Sequence, residues 1–147
     1  SMVCVQAENC SPIVKAFEAN NNKVKSGKKG NTIASGINDP LIGYEYDGTQ
    51  TLNAVYDSNG ICVSVNENEI TSAVSELGEN EGIYAEPAAA AVWAGYKKLL
   101  KSNKISISNS VVLMLTGHGL KQPIEEIHKN NIYSIDSSLN EIEEIIR

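Results

Sequence analysis

The sequence predicts an α/β fold in which part of an open, mostly parallel sheet is flanked by helices. Short apolar runs typical of buried strands alternate along the chain with segments of helical periodicity. The run Val111–Leu115 is almost entirely apolar, as parallel strands covered on both faces tend to be. Only about three strands are evident, fewer than a sheet usually contains. We therefore expect a piece of a larger sheet.

The first predicted unit is a strand followed by a helix. Val3–Val5 is a short apolar run of the kind found in buried strands. Ser11 before Pro12 is typical of an N-cap and a first helical residue. The helix's apolar face would hold Ile13, Val14, Ala16 and Phe17. The polar, lysine-containing segment 20–31 favours a solvated loop, with a basic phosphate site as the less favoured alternative.

The second unit repeats this order. Alternation over 60–65 predicts a strand. Asn66 and Glu69 have the spacing of a capping box at the start of the next helix. We expect that helix to end with Gly78 at its C′ position. Its apolar stripe would comprise Ile70, Ala73, Val74 and Leu77.

The last part of the chain contains a third unit. Glu86 and Pro87 are expected to begin an alanine-rich helix, and Val111–Leu115 is predicted to be a buried strand. Residues 137–147 have the pattern of a final amphipathic helix, which would lie in a C-terminal helical extension over 124–147.

Composition excludes several classes of protein. Of the 147 residues, 41% are hydrophobic, enough for a real core, while a net charge of −6 argues against a general nucleic-acid binder. No apolar run approaches the roughly 20 residues that cross a bilayer, so no membrane partner is expected. Three cysteines do not make a disulfide framework, and with only two histidines a zinc site is not expected. These features favour a cytoplasmic protein.

Three segments are candidates for a binding site. The Thr116–Gly119 turn follows a predicted strand, and ligands of open parallel sheets lie at the carboxyl ends of strands. Glu86 is placed at a helix N-terminus, and Ser35–Gly36 forms a third candidate. Each could equally be structural: a strand-to-helix turn, a plain helix start and a loop. His118 could approach a ligand or simply pack within the turn.

Five segments, in order and spacing, resemble the C-terminal half of threonine synthases. These are VQAENCSPIVKAF (5–17), TIASGINDP (32–40), VSVNENEI (63–70), EGIYAEPAAAAVWAG (81–95) and LTGHGLK (115–121). The last is the most specific, because related dehydratases usually carry a different glycine turn there. The resemblance covers nearly everything from residue 3 to about 123 and implies the C-terminal portion of a pyridoxal-phosphate enzyme of fold type II, the tryptophan-synthase-like fold.

The resemblance also implies an activity and a cofactor site. Threonine synthases convert O-phosphohomoserine and water into threonine and phosphate. By analogy, Thr116 would contact the pyridine nitrogen of pyridoxal phosphate, and Gly117, Gly36 and Glu86 would be cofactor-binding. A hydroxyl partner leaves that nitrogen largely unprotonated, whereas an aspartate would deepen the electron sink. This sequence departs from many members at Ala89, where they have serine.

Two parts of the family pattern are missing from these 147 residues. The Schiff-base lysine motif and the glycine-rich phosphate loop are not found, so no catalytic residue is assigned. We expect the chain to be inactive alone, to need the missing N-terminal part of the same protein, and to form a homodimer. The alternatives are a fragment of a threonine or serine dehydratase, and a stand-alone non-catalytic binding module.

Overall fold

A computed structural model describes residues 1–122, in which six regular elements and two short 3₁₀ turns follow one another. The turns span Ser35–Ile37 and Gly119–Lys121. The regular elements are β1 (Val3–Ala7), α1 (Pro12–Glu18), α2 (Glu45–Asp57), β2 (Ile61–Val65), α3 (Glu67–Glu81) and α4 (Pro87–Lys101). The α/β class is confirmed. The predicted helix over 137–147, and the extension that contains it, lie outside the described residues.

The described residues contain one sheet, made of two parallel strands. β1 pairs with β2 so that Val3 lies opposite Ile61 and Ala7 opposite Val65. Because side chains alternate across a strand, the two faces carry different residues. Ala7 and Val65 join a core cluster with α3 and α4, while Cys62 joins a second cluster with α1 and α2. Helices thus cover both faces, as parallel sheets require.

Helix α1 begins where the sequence predicts, but Ser11 does not cap it. The Ser11 hydroxyl donates to the carbonyl of Glu8 instead. The cap comes from β1, where the Gln6 side-chain oxygen accepts the backbone N–H groups of Ile13 and Val14 at 2.9 and 3.1 Å. Gln6 is almost fully buried, and these bonds satisfy its oxygen there.

Helix α2 was not predicted from the sequence. Its buried stripe consists of only Gly48, Leu52 and Val55, so the apolar periodicity is weak. Gly48 allows a close approach, since a Cβ there would overlap Leu41. Leu52 is fully buried within the second core cluster.

Helix α3 has the predicted start but a different end. Asn66 Oδ1 accepts the Glu69 N–H at 2.9 Å, and Glu69 Oε2 accepts the Asn66 N–H at 2.7 Å, which completes the capping box. The prediction that Gly78 ends the helix is wrong. The helix continues to Glu81, and Gly82 is the left-handed C-cap with φ 66°. A glycine can occupy a helix interior when later residues continue the turn, and only Gly82 has the positive φ.

The predicted strand Val111–Leu115 is absent: residues 110–117 form no strand or helix. A strand needs a neighbouring strand to bond its N–H and C=O groups, and among residues 1–122 only β1 and β2 supply a sheet. Val112 and Met114 are 83% and 68% exposed, whereas Leu115 packs against the first core cluster. The apolar run was therefore identified correctly, but its buried state was not.

Helix α4 packs directly on the sheet. It begins at Pro87, as predicted, and its alanines fill the first core cluster. Gly95 faces the strands so closely that a Cβ there would lie 2.8 Å from Val5 Cγ2 and 3.3 Å from Val63 Cγ1. This contact brings the N-terminus of α4 to the same edge as the 116–119 turn. Among the described residues, no helix is long and apolar enough to cross a bilayer.

Candidate functional site

The Thr116–Gly119 turn lies against the residues that lead into α4. The Glu86 N–H donates to the Gly117 carbonyl at 3.0 Å, and the Gly119 N–H donates to the Tyr84 carbonyl at 2.8 Å. Between these bonds, Ala85 and His118 form an antiparallel bridge. Backbone pairing therefore fixes the turn to the start of α4 independently of its side chains.

Both glycines of the turn are required by close approach. A Cβ on Gly117 would overlap the carboxyl group of Glu86, and a Cβ on Gly119 would overlap the ring of Tyr84. The sequence predicts that these glycines allow a close backbone approach. In the structure, the approaching groups are side chains of this chain.

The Glu86 carboxylate is at the centre of the site. Its side chain is only 12% exposed and forms an ion pair with Lys121, whose Nζ lies 3.2 Å from Glu86 Oε2. Lys121 itself is 68% exposed, so solvent screens the pair and its contribution to stability is small. The consequence is geometric: the carboxylate is held beside Gly117, with its charge partly balanced.

Gly36 lies on the other side of this carboxylate. A Cβ on Gly36 would be 3.8 Å from Glu86 Oε1 and 3.1 Å from the Ala88 side chain. The Ser35–Ile37 turn is tied to the end of the described chain by Gln122. The Gln122 oxygen accepts the Ser35 hydroxyl at 2.6 Å, and its amide nitrogen donates to the Ile33 carbonyl at 2.5 Å.

Thr116 and His118 differ in their surroundings. The Thr116 side chain is exposed next to the ordered Gly117. His118 Nδ1 accepts the Leu120 N–H at 3.1 Å, and its ring lies edge-on to Tyr84 at 5.8 Å between centroids. These contacts give His118 the structural role that the sequence left open as one of two alternatives.

The structure thus brings together the four residues named from the sequence, with Gly36, Glu86 and Gly117 in contact range and Thr116 adjacent in the chain. Sequence reasoning missed Lys121 and Gln122 as partners. Lys121 lies within the LTGHGLK segment, which was a usable signal, whereas no pattern pointed to Gln122. Among residues 1–122, no group of three or more potential ligand side chains is placed to hold a metal ion.

Comparison with known proteins identifies the family. The model of the family described as "Pyridoxal-phosphate dependent enzyme" matches residues 1–117. The chain belongs to this family. Its cofactor is pyridoxal phosphate, so the family and the cofactor that the sequence resemblance implied are confirmed.

The curated relatives include several threonine synthases. The enzyme of Methanocaldococcus jannaschii is 35% identical over 147 residues, which is 99% of this chain and 36% of that protein. The enzyme of Methanosarcina acetivorans is 38% identical over 122 residues, covering 83% of this chain and 29% of that protein. The chain therefore spans about a third of the length of these relatives.

Solved structures of the same fold are more distant in sequence. A bacterial threonine deaminase, from the organism abbreviated T.th., aligns with a TM-score of 0.57 at 17% identity, covering 90% of this chain and 41% of that one. Maize serine racemase aligns with a TM-score of 0.52 at 18% identity, covering 72% of this chain and 29% of that one. At these identities the likeness concerns the fold, which is that of fold type II pyridoxal-phosphate enzymes.

Proposed function

We propose that this chain is the C-terminal part of a threonine synthase, and that the complete protein converts O-phosphohomoserine and water into threonine and phosphate. The chief support is the packing of the Thr116–Lys121 turn on the Glu86 carboxylate. This turn carries the most specific motif of the resemblance, and its glycines, its lysine and its backbone bonds all have defined partners. Relatives named threonine synthase at 35–40% identity agree with this assignment.

The residues present fit one edge of the cofactor. The exposed Thr116 hydroxyl is available to meet a ring nitrogen, and its neighbour Gly117 leaves room beside it for a flat ligand. The carboxylate of Glu86 would repel a phosphate group, which needs N–H donors and positive charge. This edge therefore suits the pyridine ring of pyridoxal phosphate, and its phosphate would be held by the part of the protein outside this chain.

Each residue has a distinct task in this proposal. Bound pyridoxal phosphate supplies the electron sink for reaction at the substrate's carbon atoms. Thr116 holds the pyridine nitrogen as a neutral hydrogen-bond partner, and Gly117 and Gly36 let the ring approach the backbone. Lys121 lies 3.2 Å from the Glu86 carboxylate and partly balances its charge beside the ring.

Whole-protein activity is the test of this function. The full-length protein, reconstituted with pyridoxal phosphate, should release phosphate from O-phosphohomoserine and form threonine in equal amounts. The 147-residue chain alone should do neither, because the Schiff-base lysine motif is not in its sequence. Deamination of threonine or serine to a keto acid, without phosphate release, would favour the dehydratase alternative. No activity and no absorbance from bound cofactor would leave the non-catalytic module.

Substitutions at Thr116 test the site within the full-length protein. Thr116→Ala removes one neutral hydrogen bond, with a net contribution of about 0.5–1.5 kcal/mol, and should weaken cofactor binding modestly. Thr116→Asp should reduce turnover more than Thr116→Ala, since a carboxylate holds a proton on the ring nitrogen. Thr51→Ala is the control, because Thr51 is an exposed residue of α2 outside the site. Equal or better turnover for the aspartate variant would contradict the assignment.

A further inference from the structure

Cys4 and Cys62 are directly opposite each other in the sheet. They are register partners on β1 and β2, and both belong to the face covered by α1 and α2. Adjacent parallel strands lie about 4.8 Å apart. That spacing is within the roughly 4.4–6.8 Å between Cα atoms that a disulfide can span. Since register partners project to the same face, the two sulfur atoms are neighbours.

We propose that Cys4 and Cys62 are a thiol pair that a peroxide oxidises reversibly to an intramolecular disulfide. Both thiols are free in the structure. The bond would link β1 covalently to β2 and close a loop that contains α1 and α2. This modification site is independent of the Glu86–Lys121 site and of the function proposed for it.

The surroundings give the two cysteines different roles. Cys4 is partly exposed near the start of β1, whereas Cys62 is only 7% exposed in the core. Their mutual hydrogen bond lowers the pKa of the Cys4 thiol and, with burial, raises the pKa of Cys62. Cys62 therefore keeps its proton, and Cys4 is the accessible thiol that ionises. Reactivity towards peroxide follows the thiolate, so Cys4 reacts first.

The reaction proceeds in two balanced steps. The Cys4 thiolate attacks hydrogen peroxide, an S–O bond forms as the O–O bond breaks, and hydroxide leaves. The Cys62 sulfur then attacks the Cys4 sulfur, the S–O bond breaks, and the departing hydroxide takes up the Cys62 proton as water. Overall, two thiols are oxidised to one disulfide and one peroxide is reduced to two waters. A dithiol reductant reverses the change.

Cys10 serves as the internal control. It is 1% exposed, just beyond the carboxyl end of β1, and it has no register partner in β2. Cleavage after glutamate separates all three cysteines, because Glu8 lies between Cys4 and Cys10, and Cys62 lies on a later peptide. A mass spectrum of the unreduced digest therefore identifies the linked pair without ambiguity.

The experiment treats the folded full chain with hydrogen peroxide, blocks remaining thiols and digests it without reductant. We expect one linkage, between the Cys4 and Cys62 peptides, with the Cys10 thiol still free and the chain still monomeric on a non-reducing gel. Cys10→Ala should form the same link, and Cys4→Ser should form none. Cys62→Ala provides a second test if Cys4→Ser is not folded by circular dichroism. Links to Cys10, links between chains, or three free thiols after treatment would overturn the proposal.

Discussion

A glycine-to-alanine pair tests how closely α4 packs on the sheet. Gly95→Ala in α4 adds one methyl group where the structure places Val5 Cγ2 at 2.8 Å and Val5 Cγ1 at 3.1 Å. Gly78→Ala in α3 adds the same group where no atom lies within 4 Å. Both variants gain the helix propensity of alanine over glycine, about 1 kcal/mol in a helix interior. Only Gly95→Ala must move its neighbours.

The expected magnitudes follow from these distances. Overpacking a core by one methyl group costs about 1–3 kcal/mol. Since the propensity gain is similar in both helices, Gly95→Ala should be less stable than Gly78→Ala by about 1–3 kcal/mol. Gly78→Ala should itself be more stable than the unmodified chain by about 0.5–1 kcal/mol. Urea denaturation followed by circular dichroism measures both, provided that the slope of free energy against urea is unchanged.

Two results would refute this reasoning. If Gly95→Ala were as stable as Gly78→Ala, α4 would lie farther from β1 and β2 than the structure places it. If Gly78→Ala were destabilised, Gly78 would be the left-handed end of α3, as the sequence suggested, instead of an interior residue. Val5→Ala combined with Gly95→Ala identifies the clashing partner, because removing the valine methyl groups should recover part of the loss.

Two further predictions concern α3. Asn66→Ala removes the capping bond to the Glu69 N–H and should lower the free energy of unfolding by about 1 kcal/mol, measured in urea; no change would mean that the cap is unimportant. The hydrogen bond from Lys97, with a second from Trp93, lowers the pKa of Glu76, so the stabilisation it gives is present at neutral pH and is lost as the pH falls through that lowered pKa. Because Trp93 is the only tryptophan, its fluorescence should follow this titration, with a midpoint that rises in Lys97→Met; an unchanged midpoint would contradict the assignment.

The sequence predicts elements well where one physical signal dominates. The alternation over 60–65 gave a strand, and the Asn66–Glu69 spacing gave a helix start, because each depends on neighbouring residues alone. Helix α2 was missed because its buried stripe of three residues is diluted by polar ones. The Gly78 error has a similar origin, since a glycine in the sequence does not reveal its φ angle.

Features that depend on distant residues could not be predicted in this way. Burial of Val111–Leu115 was inferred from its apolar character, but a strand also needs a neighbour, and none of the described residues supplies one. The grouping of Gly36, Glu86 and Gly117 came from the family resemblance, whereas the Gln122 bonds to Ser35 and Ile33 join residues about 90 positions apart. Local patterns contain no information about such contacts.

The Gln6 cap has a consequence for the order in which the chain folds. Helix α1 has seven residues, too few to persist alone in water. Its first amides are bonded by a side chain of β1, and β1 is itself ordered by pairing with β2, far along the chain. The helix should therefore gain its structure only after this long-range pairing has formed. In hydrogen exchange, the Ile13 and Val14 amides would then open together with the strands, and α1 would have no independent lifetime.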